Sequence, residues 1–223
     1  MSQTTPLPTL AILGGTGKEG PGLALRWASA GYPILIGSRQ AEKAEATAAE
    51  LNARLGREGV RGLENGAAAR QAELCVLTVV ATAHQATLES LKAELQGKIL
   101  VDATARVDFR DPRPPSPPSA GRIAQDLLGP GVRVAAAFQN VPASALKKNL
   151  GERLDVDVLV CADDMEAAQV TMQLAEAAGM NAYYAGRLEN ALIVEGLTSL
   201  LISINKHHGG HASIRVTGVK PTA

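Results

Sequence analysis

Three glycines, Gly15, Gly17 and Gly20, separate the apolar run "LAIL" from "GLALRWA", whose apolar residues fall at helical spacing. In a G-x-G-x-x-G turn between a strand and a helix, the absent side chains let backbone N–H groups approach a pyrophosphate. The anion then sits at the positive end of the helix dipole. The turn and its setting near the N-terminus predict a dinucleotide site, with a purely structural glycine turn as the alternative. The next apolar run ends "ILIGSRQAEKAE". An NAD site usually carries an acid there for the ribose 2′-hydroxyl. This chain instead offers Ser38 and Arg39, with Lys43 one helical turn further on. A hydroxyl, a guanidinium fork and an ammonium suit a 2′-phosphate, so NADP is favoured over NAD, and Thr16 can add a hydroxyl from the turn. The alternative is that Arg39 and Lys43 are solvated residues at a helix start.

These residues must be held by elements that the apolar pattern outlines. Apolar runs at 9–13, 33–37, 74–80, 98–103, 132–138 and 157–162 alternate with helical patterns at 19–30, 41–55, 83–95, 119–128 and 164–179. Such alternation predicts an α/β fold with a Rossmann-type doubly wound, mainly parallel sheet. The runs are apolar throughout, as expected when helices cover both faces. Residues 1–150 are expected to form the dinucleotide-binding domain. Residues 151–223 are expected to form a small C-terminal α/β subdomain containing a long apolar helix at 189–208. "RDPRPPSPPS" (110–119) is rich in proline and reads as a surface loop that could act as a lid.

The chain has 223 residues, 46% hydrophobic and 20% charged, with 22 basic and 22 acidic side chains. Zero net charge provides no global field toward nucleic acid or anionic membrane. No secretory pattern opens the chain and no apolar stretch approaches the roughly 18 residues of a membrane span, so a cytoplasmic setting is expected. Cys75 and Cys161 lie in separate strand-like runs and read as buried, reduced thiols. His207, His208 and His211 lie in "KHHGGH", where the glycines deny a rigid ligand spacing and no acid is adjacent, so no metal site is expected. Glu195 sits on the apolar helix, either buried at a subunit contact or exposed. With apolar residues on most of its sides, that helix is expected to pack in a homodimer interface.

The stretch "ILGGTGKEGPGLALRWASAGYPILIGSRQAEKAEA" (12–46) resembles the NADPH-dependent reductases of coenzyme F-420, an 8-hydroxy-5-deazaflavin. The resemblance continues through "GKILVDAT", "AGRIAQDLLGPGVRVAAAFQNVPASAL", "DVLVCADD" and "LENALIVEGLTSLLISINKHHG". It implies that Thr16, Gly17, Lys18 and Glu19 wrap the pyrophosphate and adenine ribose while Ser38, Arg39 and Lys43 take the 2′-phosphate. It also implies that Val79, Val80 and Ala81 flank the nicotinamide, and that Ala105, Ala137, Asn140 and Ala143 line the gap where nicotinamide and deazaflavin stack. His84, at the start of the following helix, would touch the nicotinamide ribose or cap the helix. The chain departs from the family's pattern at "VVATAH", which has neither proline nor tryptophan, and at Gln139, which stands where members carry a histidine.

The implied reaction is reversible hydride transfer between C4 of the nicotinamide and C5 of the deazaflavin. The cofactors carry the chemistry, so no catalytic side chain is required, and alanines at 135–137 and 143 would permit close stacking or serve as ordinary core. An anionic deazaflavin tail would call for cations among Arg106, Arg122, Lys147, Lys148, Lys206 and His207. Two other readings remain open. One is an NADP-dependent reductase of a small ketone, imine or β-hydroxyacid; for the last of these, the helix at 189–205 lacks the expected lysine. The other is a non-catalytic NADP-binding redox sensor.

Overall fold

The computed structural model describes residues 6–221. Eight strands form one sheet in the order β3-β2-β1-β4-β5-β6-β7-β8. They are β1 (Leu10–Leu13), β2 (Ile34–Ser38), β3 (Val60–Glu64), β4 (Leu74–Leu77), β5 (Ile99–Asp102), β6 (Arg133–Ala136), β7 (Asp157–Ala162) and β8 (Asn181–Tyr184). Every pairing is parallel except β6 with β7. The helices are α1 (Gly20–Ser29), α2 (Ala41–Leu55), α3 (Asn65–Gln71), α4 (Ala81–Ser90), α5 (Ala120–Leu128), α6 (Ala143–Leu146), α7 (Met165–Ala177) and α8 (Ala191–His208).

The uniformly apolar strands are explained by a core on each face. Leu10, Ile12, Ile34, Ile36, Val76 and Val101 point to the side covered by α1, α2 and α7. Ala11, Leu13, Leu35, Cys75, Leu77 and Leu100 point to the side covered by α3, α4, α5 and α8. Successive residues alternate between two apolar layers, so the period of two does not show as a polar alternation. Cys75 and Cys161 are free, buried thiols that burial pushes up to about 12, which leaves them unreactive.

The elements missing from the sequence reading are edge or short ones. β3 (Val60–Glu64) is a half-exposed edge strand with only Val60 buried, so its residues carry little apolar signal. Gly62 is required there, because a Cβ would come within 2.4 Å of the Ala44 carbonyl of α2. The expected strands at 74–80 and 132–138 end early, at Leu77 and Ala136, and their last residues become loops at the C-terminal edge of the sheet. The helix expected at 83–95 starts at Ala81 and ends at Ser90.

Residues beyond 150 extend the same sheet through β7 and β8, and α8 packs beside α5. Arg26 of α1 ties the later chain to the earlier one. Its buried guanidinium donates to the carbonyls of Leu146, Lys148, Glu152 and Ala178 at 2.7 to 3.1 Å. The proline-rich segment is a loop, fastened to α8 by Ser199 Oγ on the Arg113 carbonyl (2.7 Å) and Lys206 Nζ on the Arg110 carbonyl (2.8 Å). Contrary to the expectation that no apolar stretch approaches a membrane span, the helical stretch Leu188–His208, a 3-10 turn running into α8, has that length and hydropathy, yet its Ala191, Val194, Glu195, Thr198 and Ser199 are buried against the protein.

Candidate functional site

The strand order reverses at β1: β2 lies on one side and β4 on the other. Ligands of open α/β sheets bind in the crevice this creates at the C-terminal strand ends. Gly14 has φ +68°, and its N–H donates to Asn65 Oδ1 at 3.1 Å. The Gly15 N–H reaches the carbonyls of Ile12 (3.1 Å) and Gly37 (2.8 Å), locking the turn to the end of β2. A Cβ on Gly15 would lie 2.6 Å from the Ile12 carbonyl, and one on Gly20 would lie 2.7 Å from Gly15 Cα. Gly17 differs, since its nearest neighbour would be an ordinary 3.7 Å away. Nothing within the protein demands a glycine at 17, so the missing side chain leaves a cradle suited to close approach of a pyrophosphate. Glu19 stands at the N-cap of α1 without a side-chain cap, and although the residue is partly exposed, its Oε1 is sealed away with no hydrogen-bond partner.

At the end of β2, Ser38 Oγ is buried and accepts from the Gln40 N–H at 3.2 Å, leaving its proton free to donate. Arg39 and Lys43 are exposed, and neither makes an ion pair among the described residues. Glu64, the acid closing β3, is spent on capping α3 through the N–H groups of Gly66 and Ala67. The donor set at 38, 39 and 43 therefore fits a dianionic phosphate. Asn65, which braces the turn from α3, was missed from sequence because its partner lies 51 residues away.

Three loops meet on the other side of the crevice. After β4, Val79 packs on Gly14, Val80 is 69% exposed, and Ala81 opens α4. After β5 come Thr104 and Ala105. After β6 come Ala137, fully buried, and Phe138, a non-glycine residue at φ +75° whose ring meets Trp27 edge-on at 5.7 Å. Ala143 opens α6 and is partly buried.

Asp102 joins these loops. Its Oδ2 lies 2.7 Å from Nε2 of the buried His84, its Oδ1 accepts from the Thr104 N–H (2.9 Å), and its carbonyl accepts from the Ala137 N–H and Gln139 Nε2. His84 is therefore no helix cap: it is the fourth residue of α4 and turns inward to Asp102. Asn140 turns away from the loops, its amide donating to the Val194 carbonyl and Thr198 Oγ1 of α8, both at 3.0 Å. Glu195 is fully buried. It accepts from the Ala120 N–H and from Arg106 Nε at 3.3 Å, and burial raises its carboxyl against the pull of those donors.

Three of the expected tail-binding cations are already engaged within the protein. Arg106 holds Glu195 and the Ser116 carbonyl, and Arg122 pairs with Asp126 and Asp163. Lys147 and Lys148 are exposed, and Lys206 is bound to the Arg110 carbonyl. His207 meets His208 ring to ring at 4.6 Å, and no group of three or more metal-ligating side chains occurs among the described residues. A shallow cleft of about 300 Å³ lined by Arg26, Leu150, Arg153 and Gly179 lies where α1 and α7 end, away from the glycine turn.

Residues 9–106 match the family described as NADP oxidoreductase coenzyme F420-dependent. The chain is 41% identical to the F420-dependent NADP reductase of Methanothermobacter thermautotrophicus, over 94% of this chain and 95% of that one. It is 39% identical to the reductase of the same name from Methanocaldococcus jannaschii, over 95% and 99% of the two chains. Among solved structures, a hypothetical protein from Sinorhizobium meliloti superposes with a TM-score of 0.66 at 22% identity, covering 83% of this chain and 88% of that one. Pyrroline carboxylate reductase of Plasmodium falciparum, solved with NADP bound, gives 0.61 at 12% identity over 92% and 66% of the chains. These structures share the Rossmann-like fold. By its 39 to 41% identity with these two reductases over 94 to 95% of its length, the chain belongs to the coenzyme F420-dependent NADP oxidoreductase family.

Proposed function

We propose that this protein is an NADP-dependent oxidoreductase that moves a hydride reversibly between NADP(H) and the deazaflavin coenzyme F-420. The observation that carries the NADP half is the end of β2, where Ser38, Arg39 and Lys43 offer a hydroxyl and two exposed cations and no acid takes the ribose position. The deazaflavin half rests on kinship with reductases of that name over 94% of the chain. When bound, the nicotinamide supplies or receives the hydride at C4 and the deazaflavin exchanges it at C5.

The protein's task is to hold two planar rings together and keep water out. Gly15, Thr16, Gly17 and Lys18 bind the pyrophosphate through the turn, and Val79, Val80 and Ala81 form one wall of the nicotinamide pocket. Ala105, Ala137 and Ala143 keep the gap shallow enough for stacking. Asn140 and His84 act as braces behind it, through α8 and Asp102. No side chain needs to trade a proton with a carbonyl substrate. The only lysine of α8, Lys206, lies in the last turn of the helix and is bound to the Arg110 carbonyl, which weighs against a hydroxyacid reductase. In this reading residues 1–150 hold NADP and 151–223 form the smaller unit, in the cytoplasm.

A second copy of the chain is the proposed occupant of the outer face of α8. Ile193, Leu200 and Ile204 are 67%, 56% and 46% exposed and recur at helical spacing, opposite the buried Val194 and Glu195. Leu200→Asp is expected to convert a dimer to a monomer in sedimentation, and a wild-type monomer would contradict the homodimer.

Burial pushes the Glu19 carboxyl up to about 8, so near neutral pH it carries a proton and does not repel a pyrophosphate in the adjacent turn. A carboxyl raised from 4.5 keeps its proton in the fold where the unfolded chain releases it. Its stabilisation is complete below pH 4.5 and is lost as pH rises through 8. Glu19→Gln should therefore flatten the fall in Tm between pH 5 and pH 9 by about 5 °C, and parallel curves would refute the burial. Arg39→Glu should weaken NADPH binding about 30-fold in a fluorescence titration and NADH binding far less. Equal losses would remove the 2′-phosphate assignment.

A further inference from the structure

Two buried oxygens at the C-terminal ends of neighbouring strands have no hydrogen-bond partner: Thr104 Oγ1, after β5, and Gln139 Oε1, after β6. Thr104 is 2% exposed and Gln139 is 7% exposed, so neither oxygen is compensated by open solvent. Buried polar atoms are seldom left unpaired, because the cost of desolvation is then not recovered. Both residues hang on Asp102, the one through its backbone N–H on Oδ1, the other through Nε2 on the carbonyl. A backbone carbonyl can only accept, so it must face the Gln139 NH₂. The amide is thereby oriented, and Oε1 is an acceptor awaiting an N–H.

The chain holds Gln139 there at a cost. Phe138, immediately before it, has φ +75°, a conformation that bulky L-residues rarely adopt and that tends to persist at functional sites. Trp27 packs on the Phe138 ring, Thr198 of α8 donates to the Gln139 carbonyl at 3.0 Å, and Asn140 is fixed to α8 on the other side. His84 holds the Asp102 carboxylate in place. The segment is thus braced from α1, α4 and α8 while its one free acceptor is left unused.

We propose that Gln139 Oε1 and Thr104 Oγ1 form a hydrogen-bond pair that reads a planar amide carried by one of the two reacting rings. Gln139 takes the N–H, and the Thr104 hydroxyl donates to the adjacent C=O. The inference rests on the hydride-transfer reading above. Two rings offer this chemistry, the carboxamide of the nicotinamide and the imide of the deazaflavin, and both would be oriented by the same two contacts.

The test uses Gln139→Met and Thr104→Val, close in size to the native residues, with NADPH and its 3-acetylpyridine analogue, whose methyl ketone keeps the C=O and lacks the N–H. If the nicotinamide is read, the wild type binds NADPH about tenfold more tightly than the analogue, and Gln139→Met erases the preference. If the deazaflavin is read, that preference is unaffected and both variants raise the deazaflavin KM about tenfold with a smaller change in kcat. In either case Thr104→Ser recovers most of what Thr104→Val loses. Analogue preference and deazaflavin KM both unchanged in the variants would overturn the proposal. So would a matching loss of affinity for 2′,5′-ADP, which carries neither ring and would report general loosening. The binding arm needs no turnover, so absence of deazaflavin reduction would refute the proposed activity while leaving the nicotinamide contact separately measurable.

Discussion

Between β1 and β4 the sheet changes the direction in which it grows, and the site depends on that reversal. Connections leave β1 and β4 toward opposite sides, opening a crevice at their C-terminal ends that only a chain without side chains can cross. Gly14 and Gly15 make this crossing against Val79 on one side and the Gly37 carbonyl on the other. A Cβ on Gly14 would be driven into Val79 beyond β4, and one on Gly15 into the Ile12 carbonyl of β1 itself. Gly17 is under no such constraint, since a Cβ there would meet its nearest neighbours at an ordinary 3.7 to 3.8 Å.

The two arms of the crevice are stabilised by different means. On the β2 side the two cations, Arg39 and Lys43, are exposed and make no ion pair among the described residues, as suits a phosphate that brings its own charge, and only Ser38 is buried. On the β5–β6 side the groups are buried and cross-linked through Asp102, whose carboxylate and carbonyl together hold α4 and the loops after β5 and β6. α8 completes that side through Thr198 and Asn140. A further set of contacts, Glu195 with Arg106 and the Ala120 N–H and Ser199 and Lys206 with the Arg113 and Arg110 carbonyls, fastens the start of α5 and the long loop before it. Ring stacking is sensitive to small displacements, and the stiff side of the site is the one proposed to carry the rings.

What was legible in sequence was whatever depends on neighbours along the chain. The glycine turn, the run Ser38-Arg39 with Lys43 one turn on, and the strand–helix alternation are local patterns, and the structure places them on β1, α1, β2 and α2 as read. What escaped depends on partners far away. Asp102 reads as the last residue of an apolar strand until His84 and Gln139 are seen to converge on it from 18 residues before and 37 after. Asn65 lies at the start of a short helix behind an edge strand too polar to announce itself. Arg106 and Arg122 looked like free cations, yet Glu195 and Asp163 neutralise them across 89 and 41 residues. Composition reports charge, whereas only the fold reports which charges are already paired.

If NADP and a deazaflavin meet in this crevice, a hydride passes directly from one to the other. Mixing the purified protein with NADPH and oxidised coenzyme F-420, with NADH as control, tests it by the loss of the deazaflavin's visible absorbance. Rapid bleaching is expected with NADPH and little with NADH. NADPH that binds without bleaching the deazaflavin would contradict the assigned second substrate, and equal rates with NADH would contradict the reading of Ser38, Arg39 and Lys43.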